Sequence, residues 1–211
     1  MSLLLLSTAL FRTFSIVLSL LPIPMRLVLL GPPGSGKSTQ AAALAARWQI
    51  PSLSTGDLLR DAISAQSDLG KQAQTHVETG ELVPDDLIVD LMRDSFGTPA
   101  TQQGWILDGF PRNLVQSQAL DTLLQIMGQP YGQVVYFDAP EDLLVERMLK
   151  RGRQDDSEDL IRQRLQVYLH QTVPLIDFYR RRQCLVEIDG SRPESEITDA
   201  ISEVIQPLAN V

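Results

Sequence analysis

Residues 31–38 read GPPGSGKS, a run with glycines at 31, 34 and 36 that closes on Lys37 and Ser38. Glycines at this density let a backbone curl until successive N–H groups point inward, and the lysine adds a full positive charge at the mouth of the curl. The pattern Gly-x4-Gly-Lys-Ser sits between an apolar run, MRLVLL at 25–30, and an alanine-rich stretch of strong helix formers, STQAAALAARW at 38–48. A strand, loop and helix in that order aim backbone donors and the positive end of a helix dipole at one point. This is the chemistry of phosphate binding. Gly34, Ser35, Gly36, Lys37, Ser38 and Thr39 are therefore the expected contacts of a nucleoside triphosphate, with Lys37 on its outer phosphates.

Other segments add groups that act on phosphates and bases. Asp108 ends the apolar run WIL at 105–107, at the carboxyl end of an expected strand, where an open α/β sheet gathers its ligands. A carboxylate there suits the hydration shell of Mg²⁺. Past the turn Gly109, Phe110, Pro111 comes Arg112, whose guanidinium can grip a phosphate in bidentate fashion. Gln116 follows four residues later with both a donor and an acceptor, a pair that suits N1 and the exocyclic amine of adenine. Thr55 and Gly56 open a helix whose first turn can meet a base or ribose, and Arg60 lies about one turn further on, within reach of a phosphate. Finally Arg147, Lys150, Arg151, Arg153, Arg162 and Arg164 gather in a single stretch interleaved with Asp155, Asp156, Glu158 and Asp159. Taken alone, such a run pairs internally on a solvated surface.

The elements that must position these groups follow from the hydrophobic pattern. Short apolar runs at Arg26 to Leu30, Pro51 to Leu53, Trp105 to Leu107, Gln133 to Phe137 and Cys184 to Ile188 alternate with stretches of helical period. Helices are expected after Lys37 and at Gly56 to Ala65, Leu69 to Thr79, Asp85 to Asp94, Asn113 to Ile126, Pro140 to Lys150 and Pro193 to Ile205. Five strands alternating with helices imply a doubly wound parallel sheet. Between Ser54 and Val83 some three helical pieces and no strand are expected, which makes that stretch a small lobe off the sheet; 151–156 reads as a compact polar flap, with Asp156 or Ser157 capping the helix that follows.

A chain of 211 residues supports one substantial core, and its net charge of -8 repels nucleic acid and anionic lipid at long range. Nucleic acid is not an expected partner, nor is a membrane. One cysteine, Cys184, allows no internal disulfide and no zinc cluster, and fits a reducing, cytoplasmic setting as a core thiol. Residues 1–24 are the compositional outlier, rich in Leu, Ser and Thr with Arg12 as the lone charge. That segment reads as an over-extended or disordered start ahead of Met25, with a transit-like leader or a membrane-contacting tail as alternatives.

The phosphate loop together with LSTGDLLR at 53–60, GELVPDDLI at 80–88, WILDGFPRNLVQ at 105–116, RMLKRGRQDDSEDLIRQRLQVY at 147–168 and VEIDGSRP at 186–193 resembles the adenylate kinase family of nucleoside monophosphate kinases. The resemblance runs from Arg26 to about Leu208 and implies a P-loop three-layer α/β fold: a five-stranded parallel sheet within a single domain at 25–211, a monophosphate-binding lobe at 54–83 and a short lid at about 151–157. It implies Mg²⁺-dependent, reversible phosphoryl transfer between ATP and AMP giving ADP, by a monomer. By matching motif positions, Arg147, Arg151 and Arg192 take the donor nucleotide, while Thr55, Arg60, Glu81, Leu82, Val83, Gly109, Phe110, Pro111, Arg112, Gln116, Arg153 and Arg164 take the acceptor. Lys37, Asp108, Arg112, Arg151, Arg153 and Arg164 are implied at the transferring group, with Asp155 and Asp156 orienting arginines. The chain departs from the family at Ser38, where GKSTQ replaces GKGTQ, so either Ser38 or Thr39 could face the metal. The short lid lacks the zinc-binding cysteines of longer forms. A pyrimidine monophosphate kinase is the alternative acceptor specificity, against which Thr55 and Gln116 argue, and a non-catalytic nucleotide-binding regulator is the alternative from outside catalysis.

Overall fold

The computed structural model describes residues 24–153 and 156–209. The expectations for residues 1–23 and for Asp155 lie outside the described residues. The chain begins with β1 (Met25–Leu30), then α1 (Lys37–Trp48), β2 (Ser52–Ser54), α2 (Thr55–Ser64), α3 (Asp68–Thr79) and α4 (Asp85–Phe96). A 3₁₀ turn at Pro99–Gln103 leads to β3 (Gly104–Asp108), α5 (Leu114–Ile126), β4 (Gln133–Asp138) and α6 (Glu141–Arg151). The last part comprises α7 (Glu158–Val167), a π-helical turn at Tyr168–Thr172, α8 (Pro174–Arg181), β5 (Leu185–Asp189) and α9 (Glu194–Ala209).

The five strands form one parallel sheet in the order β2-β3-β1-β4-β5. β1 is central, and its near-continuous apolar sequence is what a strand covered on both faces requires. Its side chains alternate between two cores. Leu27 and Leu29 pack with Ala41 and Leu44 of α1 and with Ile197 and Ile201 of α9. Val28 and Leu30 pack with Met92 and Phe96 of α4, Leu120 of α5 and Tyr179 of α8. Helices on both faces of a parallel sheet make the three-layer α/β architecture expected from the sequence.

Caps set the helix boundaries near the ligand side. Ser54 and Ser67 accept from the backbone N–H groups of Asp57 and Gly70 at the starts of α2 and α3. Asn113 accepts from the N–H of Gln116 over 2.8 Å and starts α5. Ser157, rather than Asp156, caps α7 by accepting from the N–H of Leu160, because the Asp156 carboxylate is engaged elsewhere.

The differences from expectation are local. The stretch at 54–83 holds two helices rather than three. α8 was not anticipated; it follows α7 with only the π turn between them, so no Gly or Pro loop announced it. β2 and β5 start one residue later than expected. Pro51 has no N–H to donate, although its carbonyl accepts from Ile106, and Cys184 turns its N–H and thiol back toward the carbonyl of Tyr179. Cys184 is half-buried, with burial raising its thiol pKa.

Candidate active site

The phosphate loop links the carboxyl end of β1 to the first turn of α1. Gly34 has φ +81, and a Cβ there would lie 2.8 Å from the carbonyl oxygen of Leu144, so both backbone conformation and space demand glycine. The Lys37 ammonium curls back into the loop and donates to the carbonyls of Gly31 (2.8 Å) and Pro32 (2.7 Å), with Ser35 Oγ at 3.4 Å. Burial brings its pKa down to about 8; Asp108 opposes that shift, and the positive charges of Arg112 and Arg151 add to it.

The carboxyl ends of β1 and β3 are neighbours, with Leu29 paired to Asp108, and this register carries the loop and the Asp108 carboxylate to the same edge of the sheet. Ser38 Oγ donates to Asp108 Oδ2 over 2.5 Å. Of the two hydroxyls left open by the sequence, it is that of Ser38 which meets Asp108. An alcohol and a carboxylate oxygen side by side form a hard donor pair of the kind Mg²⁺ accepts alongside water and phosphate. Among the described residues there is no cluster of three or more His, Cys, Asp and Glu able to hold a metal ion.

Gly109, directly after β3, has φ +86, and a Cβ there would collide with Thr55 Oγ1 at 2.5 Å. Only glycine lets the turn that carries Arg112 approach the start of α2. The buried Thr55 hydroxyl donates weakly to the Asp108 carbonyl at 3.4 Å. Arg112 Nε donates to the Gly109 carbonyl over 2.7 Å, leaving the rest of its guanidinium turned to the cavity. Water reaches this side chain, yet the surrounding protein lowers its pKa; Asp108 opposes that shift, while Arg164 and Arg60 reinforce it. The main chain of Arg112 is held at both ends. Its N–H donates to Gln116 Oε1 (2.7 Å), and its carbonyl accepts from Thr172 Oγ1 (2.7 Å) in the π turn.

Gln116 is 2% exposed, and its amide nitrogen donates to Asp85 Oδ1 over 2.8 Å. Arg60 is ion-paired with Asp57 at 2.5 Å. Burial pushes the Asp57 carboxyl up, but the hydrogen bonds from Arg60 and Ser54 and the charges of Arg60 and Arg153 outweigh it and hold it below the usual carboxylate range.

The turn after α6 is organised by Asp156, whose side chain is fully covered. It receives Arg151 in bidentate fashion (2.9 and 2.7 Å) and the Arg153 N–H at 3.1 Å, with Arg164 at 3.6 Å. Burial raises the Asp156 pKa, and these arginine partners overcome that and lower it. The charge run is thus a set of arginines turned around one buried carboxylate, not only a solvated surface. Arg162 keeps the surface role, paired with Glu158 one helical turn away. Arg147 donates to the Gly190 carbonyl over 2.7 Å, and Arg192 lies against Glu196.

A single cavity of about 570 Å³ gathers these groups. Gly34, Ser35, Gly36, Lys37, Ser38, Thr39, Arg147, Arg151 and Arg192 line it together with Thr55, Arg60, Glu81, Leu82, Val83, Gly109, Pro111 and Gln116, and Asp108, Arg112, Arg153 and Arg164 also face into it. Phe110 is the exception. Its side chain is 1% exposed and belongs to the core against Leu107 and Leu120, so it supports the turn without facing the cavity. Asp57, Asp85 and Thr172 are not singled out by the sequence, and Tyr168, by type a packing residue, is buried and also lines the cavity. Asp85 lies inside the GELVPDDLI segment and Asp57 inside LSTGDLLR, whereas Thr172 carried no local signal because the π turn that aims it is a product of packing.

A glycine loop at the strand–helix junction of a five-stranded parallel sheet, opening on an arginine-lined cavity, defines a P-loop nucleotide-binding α/β protein. Residues 29–184 match the family described as adenylate kinase. Similar proteins include adenylate kinase 1 of Nostoc sp., 48% identical over 180 residues that cover 85% of this chain and 98% of the relative. The adenylate kinase of Stenotrophomonas maltophilia is 47% identical over 186 residues, 86% of this chain and all (100%) of the relative. That of Cyanothece sp. is 45% identical over 187 residues, 87% and 96% of the two chains. This chain belongs to the adenylate kinase family, and with it to the ATP:AMP phosphotransferase enzymes. None of its helices among the described residues is long and apolar enough to cross a membrane.

Proposed function

We propose that this protein catalyses the reversible, Mg²⁺-dependent transfer of the γ-phosphoryl group of ATP to AMP, giving two ADP, by direct in-line displacement between nucleotides held at opposite ends of the cavity. One observation carries this reading: the phosphate loop and the group around Thr55, Arg60 and Gln116 line the same 570 Å³ space, with Arg112, Arg151, Arg153 and Arg164 also facing it. Phosphoryl transfer asks for alignment and for charge stabilisation rather than covalent chemistry from the protein. In this reading Lys37 and the loop N–H groups hold the donor phosphates, Arg147 and Arg192 border the donor nucleoside, and Arg60 and Arg112 hold the acceptor phosphate. Thr55, Gln116 and the segment Glu81, Leu82, Val83 meet the acceptor base. Arg151, Arg153 and Arg164 neutralise the transferring group. Ser38 and Asp108 would hold Mg²⁺ and its water, and the ion would supply neutralisation of phosphate charge.

The lobe at 54–83 and the short lid at 151–157 close over the nucleotides in this reading and keep water from acting as the acceptor. The lobe's approach to the helix that follows the lid supports it: a Cβ on Gly80, at the end of α3, would lie 3.3 Å from the side chain of Arg164 on α7. Asp156 holds the Arg151 guanidinium and the Arg153 N–H of the lid turn, with Arg164 of α7 at 3.6 Å, and so keeps Arg151 and Arg164 together while the lid moves.

The test is turnover with ATP against AMP, GMP, CMP and UMP, together with the stereochemistry at a chirally labelled γ-phosphorus. Preference for AMP with inversion is expected. Efficient use of CMP with little of AMP would make the protein a pyrimidine monophosphate kinase, retention would call for a covalent intermediate, and ATP binding without any transfer would leave only a regulator.

A further inference from the structure

The amide of Gln116 has only one orientation compatible with its neighbours. Its two partners are chemically unambiguous: the Arg112 backbone N–H (2.7 Å) can only donate, and the Asp85 carboxylate oxygen (2.8 Å) in its ionised form can only accept. The amide oxygen must therefore face Arg112 and the amide nitrogen must face Asp85. Turning the amide over would set oxygen against carboxylate and NH₂ against N–H. The same Asp85 Oδ1 accepts from Asn113 Nδ2 at 2.9 Å, and Asn113 Oδ1 caps the Gln116 N–H at 2.8 Å. Asn113 is thus locked by the same logic, and Asp85, in the first turn of α4, is pinned to the start of α5.

We propose that Asp85 is a specificity-determining positioning residue: together with the Arg112 N–H it forbids the amide flip of Gln116, and so makes the acceptor site read a 6-amino purine and reject a 6-oxo purine. The inference rests on the reading in which Gln116 meets the acceptor base. A primary amide has two lone pairs and two N–H groups. One of each is taken by Arg112 and Asp85, so one acceptor and one donor remain for the cavity that Gln116 lines. Adenine offers the complement, a 6-amino donor beside a ring-nitrogen acceptor, on either its N1 or its N7 edge. Guanine and hypoxanthine put an oxygen at position 6. Against a freely rotating amide they would pair through N1–H and O6 after a flip. Against the locked amide they meet oxygen with oxygen. The carboxylate thus discriminates without touching substrate, by raising the cost of the wrong complex rather than by strengthening the right one.

The experiment compares AMP and GMP as acceptors, at saturating MgATP, for the wild type, Asp85→Ala, Asp85→Asn and Gln116→Met. Asp85→Ala is expected to raise the ratio of kcat/KM for GMP over AMP about tenfold or more, chiefly through KM, with the KM for ATP within about twofold. Asp85→Asn, whose amide oxygen still accepts from Gln116, is expected to recover most of the discrimination. Gln116→Met is expected to raise the KM for AMP and flatten the difference between the two acceptors. If Gln116→Met leaves the KM for AMP unchanged, the base-reading role fails and this proposal falls with it. If Gln116→Met has its effect while Asp85→Ala leaves the GMP to AMP ratio unchanged, or Asp85→Asn is as relaxed as Asp85→Ala, the lock alone is overturned. A measurement on the wild type covers loss of folding in the variants. One Gln116 side-chain amide proton should exchange slowly with solvent in the nucleotide-free enzyme, and fast exchange of both would overturn the lock.

Discussion

Ser38 Oγ donates to Asp108 Oδ2 over 2.5 Å, tying the first turn of α1 to the carboxyl end of β3. These residues are 70 positions apart in sequence and become neighbours because β1 and β3 pair in parallel with Leu29 opposite Asp108. The contact distinguishes Ser38 from Thr39 as the hydroxyl that accompanies the carboxylate. Ser38→Ala should lower turnover roughly 10–100-fold and raise the Mg²⁺ concentration needed for half-maximal activity, and Thr39→Ala should cost less on both counts. A Mg²⁺ titration of the two variants checks this, and a larger effect at Thr39 would reverse the assignment.

Arg112 is expected to act on the acceptor and transferring phosphates. Its guanidinium faces the cavity while its main chain is fixed by Gln116 and Thr172. Arg112→Ala should lower kcat by roughly 10²–10³ and leave ATP affinity within a few-fold. Equilibrium ATP binding measured beside steady-state turnover separates the two. Normal turnover would remove Arg112 from the chemistry.

Burial brings Lys37 down to about 8, against an ordinary value of 10.5. Between those values the unfolded chain holds more of this proton than the folded one, so the Lys37 contribution to folding stability rises with pH across that window. For binding the sign is opposite. Phosphates favour the ammonium, so ATP affinity should be greatest below about 8 and decline above it, with a proton taken up on binding near that pH. The phosphate groups, with a second pKa of about 6, are already ionised there and do not confuse the reading. Calorimetry at pH 8 in two buffers of different ionisation enthalpy should report the uptake, and Lys37→Met should abolish it. No uptake by the wild type contradicts the assignment.

Asp156 carries the turn after α6 on its carboxylate. Asp156→Asn should lower stability by about 1–2 kcal/mol, a modest figure because Arg151 is partly exposed to solvent. It should also raise the KM for ATP as the arginines lose their common anchor. The Asp156 pKa lies below its ordinary value, so its stabilisation is complete above that value and is lost as pH falls through the lowered one. Denaturant melts from pH 7 down to pH 3 should show the difference between wild type and variant shrinking toward the acid end.

Local chemistry made much of the protein legible. The apolar run at 25–30, the glycines at 31, 34 and 36 and the alanine-rich helix that follows specify strand, phosphate loop and helix by short-range rules, and each lies where those rules put it. Thr55, Arg60, Asp108, Arg147, Arg151, Arg153 and Arg164, each within one of the motifs, likewise line one cavity. Less was visible where packing decides. The π turn at Tyr168–Thr172 has no sequence signature, and α8, which follows it directly, has no Gly or Pro loop to announce it.

The sequence by itself determined that a phosphate-binding loop sits on a parallel α/β sheet, because backbone curvature, helix propensity and apolar alternation depend on neighbours along the chain. Only the tertiary structure decided which hydroxyl meets Asp108, that Phe110 turns into the core, that Asp156 rather than solvent receives Arg151, and that Asp85 fixes the amide of Gln116. Those are contacts set by strand register and helix packing, and side-chain orientation over a few ångströms is not encoded in residue spacing.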